Sequence, residues 1–186
     1  MIDRLDPPIQ RRAYGGAKIN RVQSPWRARS VHYVTIIIGS LIPLFLMADV
    51  MPVVPPLGFM IFLGWRLMRP GLLPMWAGVP LGAFDDLVSG QPFGSAIFLW
   101  SLTMIALEIL ETRFPWRGFW QDWFTAGFTV LLYILAAMLV SGAKISVPLI
   151  SIVVPQILVS ILLYPLIARV ITLADRFRLS RARRVG

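Results

Sequence analysis

Two aspartates stand side by side at Asp85 and Asp86, within Gly82-Ala83-Phe84-Asp85-Asp86-Leu87-Val88-Ser89-Gly90-Gln91-Pro92-Phe93-Gly94. Paired carboxylates can hold a cation or divide acid and base work between them. On a helix, however, neighbours point about 100° apart, so these two would not converge on one atom without an irregular backbone. A second acidic pair, Glu108 and Glu111, lies one helical turn apart beside Arg113. Ion pairing at a helix end is its plain role, and an internal proton relay the sharper one. His32 is the single histidine and there is no cysteine, which removes disulfides, thiol nucleophiles, Cys-ligated zinc and any His-based metal cluster or triad. No G-x-x-x-x-G-K-[ST], G-x-G-x-x-G, G-x-S-x-G or H-E-x-x-H occurs. The expectation is a protein that is not an enzyme, with no catalytic residue, no cofactor and no metal site.

The elements around the acids are set by hydropathy. With 57% hydrophobic residues and a mean hydropathy of +0.73 over 186 residues, the chain is too apolar for a soluble domain and reads as an all-α integral membrane protein. A net charge of +9 could point to nucleic acid, but the cations flank the apolar stretches. In that position they report topology and contact with anionic phospholipids, so no nucleic-acid partner is expected.

Residues 1–30 combine Pro7, Pro8, Gly15, Gly16 and Pro25 with seven basic residues and read as a disordered basic cytoplasmic arm rather than a cleavable signal. Six stretches without charge follow, against the need for about 20 apolar residues per crossing. They are residues 30–48, 50–65, 70–84, 87–107, 123–143 and 145–168. The second opens with Pro52, Pro55 and Pro56, leaving 57–67 as its helical part. The third is broken by Pro74 and Pro80, and the fourth should become helical near Ser95. In the sixth, Pro148 suits a helix start, and Pro155 and Pro165 suggest bends. Two short or broken crossings are expected for 57–84, in preference to a re-entrant hairpin that would leave Arg66 and Arg69 inside the membrane. Their freed backbone groups require cover, inside the bundle or against another subunit.

Alternating the sides places all but Lys144 of the 18 Lys and Arg on one face. Both termini then face the cytoplasm and the aspartate turn faces outward. There, Asp85 and Asp86 are either helix-end residues among water and headgroups or a specific contact for a partner. Gly90 and Gly94 allow positive φ, Pro92 stops a helix, and Ser89 can cap one. Gly78 with Gly82 permits close helix approach. Trp116, Phe119, Trp120, Trp123 and Phe124 share one helical face and predict a short helix along the membrane interface, set apart from the fifth span. Residues 174–186 predict a basic amphipathic surface anchor, giving a domain order of arm, six-span region over 31–173, and tail.

The run Gly82-x-x-Asp85-Asp86-Leu87-Val88-Ser89-Gly90-x-Pro92-x-Gly94, with Trp65-Arg66 and Arg69-Pro70 upstream, resembles the bacterial rod-shape-determining MreD family. Asp86, which precedes Leu87, matches the family's aspartate; Asp85 is an extra acid, and the long arm before Arg29 also departs from the pattern. The resemblance implies a non-enzymatic inner-membrane scaffold of the cell-elongation machinery. It would bind a single-span MreC-like partner through its second and third spans and residues 82–94, with Gly82, Asp85, Asp86, Ser89, Gly90, Pro92 and Gly94 as the contact. The wider assembly includes MreB, RodA and its transpeptidase. The implied fold is a six-helix transmembrane bundle similar to the substrate-binding subunits of energy-coupling-factor transporters. That similarity supplies an alternative function, a small-molecule (vitamin-type) uptake subunit with Trp76 or Trp100 beside the acids.

Overall fold

The computed structural model describes residues 25–46, 54–114, 118–142 and 146–179. Among them are six α-helices and no strand: α1 Pro25–Leu46, α2 Leu57–Met68, α3 Gly78–Ser89, α4 Ser95–Arg113, α5 Phe119–Val140 and α6 Val147–Leu179. A 3-10 turn, Met75–Ala77, leads into α3. Three helices, α4, α5 and α6, are long and apolar enough to cross a membrane. At 12 residues each, α2 and α3 extend only about 18 Å.

The core forms around α2. Its apolar residues point in all directions, a pattern that demands burial on every side. Phe59, Phe62, Leu63 and Trp65 are all buried. Phe59 stacks on Tyr133 of α5 at 3.9 Å, and Phe62 on Trp100 of α4 at 4.8 Å. Trp65 Nε1 donates to Thr35 Oγ1 of α1 at 2.9 Å, so α2 touches three neighbours through aromatic faces. The freed polar backbone of the short second helix is thus covered from within the chain. The outer faces of α1, α4, α5 and α6 carry exposed Leu, Ile, Val and Phe, an apolar belt suited to lipid.

Several boundaries depart from expectation. α3 runs through Asp85 and Asp86 to Ser89, so the pair is helical. Pro80, expected as a breaker, sits in the first turn of α3, where its missing N–H has no helical acceptor to serve. The aromatic run is not a separate interface helix: from Phe119 it forms the first turns of α5. Residues 174–179 continue α6 without a break, whereas 180–186, Trp116, Lys144 and most of the basic arm lie outside the described residues.

Candidate functional site

The Asp86 carboxylate is 5% exposed and is the hub of the α3–α4 turn. Its Oδ2 accepts from the backbone N–H of Gly94 at 2.9 Å and of Ile97 at 3.2 Å. Its Oδ1 accepts from the N–H of Ala96 at 2.8 Å and from Ser95 Oγ at 3.1 Å. The first N–H groups of a helix have no acceptor within it, and a capping side chain normally supplies one. The residue at that position is Gly94, which has no side chain, so Asp86 caps α4 from the preceding helix. Its negative charge also lies at the positive end of the α4 dipole.

The glycines make this geometry possible. Gly90 ends α3 at φ 69°, and Gly94 begins α4 at φ 99°, both in the left-handed region where a side chain is strained. Gly82 faces α4 so closely that a Cβ there would lie 2.7 Å from Ala96 O. One turn earlier, a Cβ on Gly78 would meet Ser101 Cα at 3.0 Å, so the Gly78 and Gly82 spacing does serve close helix approach. Ser89, Pro92 and Phe93 remain exposed at the tip, with Leu87 beside them at 75% exposure.

Asp85 points elsewhere, as one residue of helical rotation requires. It is 8% exposed and lines a cavity of about 130 Å³ with Ser40 of α1, Tyr133 of α5, Gln156 of α6, Ser89 and Gln91. Neither acid is therefore solvated as a helix-end residue. Trp76 lies at the opposite end of α3, and Trp100 is buried in the core; neither lines this cavity.

The other end of the bundle holds paired charges that sequence reading did not connect. Arg66, 2% exposed, donates from Nη1 to Glu111 at 2.8 Å and from Nη2 to Glu108 at 2.5 Å. Asp175 of α6 accepts from Arg69 and forms an ion pair with Arg178. A cue was present in the i, i+3 spacing of the two glutamates facing one arginine in a short span. Of the expected interface aromatics, Phe119 and Trp120 are exposed, whereas Trp123 packs inward and its Nε1 donates to Ile161 O at 3.0 Å.

One aspartate is fully engaged as a cap, and the other faces a small cavity. Among the described residues, no group of three or more His, Cys, Asp or Glu converges as a transition-metal site would need. No protein-family model, curated protein or solved structure matches this chain.

Proposed function

We propose that this protein is a non-enzymatic scaffold of the cell-elongation machinery, inserted in the bacterial inner membrane by six crossings with both termini cytoplasmic. It binds a single-span MreC-like protein and through it joins MreB, RodA and the transpeptidase. The partner surface is narrower than the sequence implied, because α2 is enclosed by α1, α4, α5 and α6 and offers no face. What remains is the open side of α3 and the tip of the turn.

The observation that carries this reading is the stripe Val79, Ala83 and Leu87 along the outside of α3, led in by Trp76 of the 3-10 turn and continued by Phe93. Its 4, 4 spacing is one helix face. A helix of about 18 Å does not fill hydrocarbon of about 30 Å, so a helix laid along α3 would relieve the mismatch. The Asp86 cap keeps Leu87 and Phe93 in fixed positions, which lowers the ordering cost of binding.

Co-purification of the partner from membranes tests it. Ala83→Trp should reduce recovery at least about tenfold by blocking the stripe, the equivalent of about 1.4 kcal/mol. Recovery unchanged by Ala83→Trp and by Leu87→Ala would refute the reading. The small-molecule alternative has less support. The polar cavity of about 130 Å³ is below the roughly 300 Å³ at which ligand pockets begin. The larger space between α4 and α5 is lined mainly by apolar side chains, with Thr103, Thr125, Thr129 and Tyr133 as its polar groups and no charged residue.

A further inference from the structure

We infer that the cavity beside Asp85 is a binding site for one small monovalent cation, of the size and oxygen preference of sodium. Four observations converge on it. Asp85 is buried, yet among the described residues no Lys or Arg pairs with it. A carboxylate at membrane depth is retained only where something compensates its charge. Ser40 Oγ is buried, lies next to the Asp85 carboxylate and lines the same space, so a second oxygen stands beside the charge. The remaining polar lining is Tyr133, Gln156, Ser89 and Gln91, groups that present oxygen. Gln156 Nε2 is engaged at the cavity wall, donating to Val54 O at 2.9 Å, which leaves Oε1 as an acceptor.

Oxygen donors select hard cations. A single available carboxylate selects one positive charge rather than two, because the oxygens of Asp86 are occupied by four donors. The backbone around the cavity is also of the kind that holds such ions. α3 ends there, the segment Val54-Pro55-Pro56 is non-helical, and Pro43 removes the helical donor for the Gly39 carbonyl one turn back. About 130 Å³ has room for roughly four water molecules, enough for a sodium ion with part of its shell.

The inference does not depend on the scaffold reading, and its test uses the full-length protein alone. Thermal unfolding in detergent is followed while sodium chloride replaces N-methyl-D-glucamine chloride at constant ionic strength. The midpoint should rise with sodium by about 5 °C at saturation and reach a plateau. Asp85→Asn should abolish the rise. An equal midpoint in both salts, or a sodium response that persists in Asp85→Asn, would overturn the site. If Asp85→Asn does not fold, Ser40→Ala decides: the sodium concentration at half-effect should increase at least about threefold, and an unchanged value refutes the assignment.

Discussion

The two ends of the bundle solve one problem in two ways. At the aspartate end, the described residues contain no Lys or Arg, and Asp86 is stabilised by three backbone N–H groups and one hydroxyl. At the opposite end, charge meets charge: Arg66 with Glu108 and Glu111, and Asp175 with Arg69 and Arg178. The first solution is local, joining residues 8 to 11 positions apart. The second joins residues 42, 45 and 106 positions apart, with Arg178 adding a pair within α6 three positions from Asp175. A local cap fixes the shape of one turn; distant ion pairs fix how α2, α4 and α6 lie against one another. The shape of the tip and the register of the bundle should therefore fail separately.

Asp86→Ala should have the largest effect. It strands several N–H groups at the start of α4 and removes charge-assisted bonds, for a loss of about 4 kcal/mol. Asp86→Asn keeps one acceptor oxygen and should lose about half of that. Gly82→Leu should follow at about 3 kcal/mol, since the atom it meets first is a backbone oxygen that cannot rotate away. Thermal midpoints in detergent, at about 2 to 4 °C per kcal/mol, read all three. A Gly82→Leu protein as stable as the parent would show that α3 and α4 are not held in close contact there.

The basic end should respond asymmetrically. Glu108→Gln with Glu111→Gln leaves a fully buried guanidinium without a counter-charge, for a loss of about 2 kcal/mol. Arg66→Met fills the same space and leaves glutamates of which Glu108 is half exposed, so about 1 kcal/mol is expected. Equal losses would mean that water already reaches Arg66.

The same contrast explains what was legible in the sequence. The helical part of α2 and the start of α4 at Ser95 followed from prolines and glycines, which act on their own neighbours. The turn motif is legible for the same reason, but the groups its acids meet are not: Asp86 reads as a helix-end residue or a partner contact, and in the fold it caps α4. A carboxylate that will meet backbone N–H groups looks no different in sequence from one that will meet water. Pro80 misled because a proline that breaks a helix and one that opens it differ only in position. The aromatic run merged with α5 because no breaker separates Phe124 from Thr125. Ser40, Tyr133 and Gln156 come from three helices, and no spacing announces that they share a cavity. The Arg66 clasp was hidden likewise, each partner having a nearer candidate in sequence.

The smallest effect tests whether burial or mere proximity ranks these ion pairs. Arg69 is half exposed, and its partner Asp175 also holds Arg178 at 3.0 Å. Arg69→Ala therefore takes one of two cations from a carboxylate that keeps the other, and the guanidinium it removes was partly hydrated. The loss should stay below about 1 kcal/mol. Arg178→Ala, with that side chain only 12% exposed, should lose more, and the double substitution more than the sum, because only then is Asp175 left buried without a counter-charge. Additive losses would place Asp175 in contact with water. The basic end would then be held by Arg66 alone, and the contrast with the capped end would reduce to one buried charge at each.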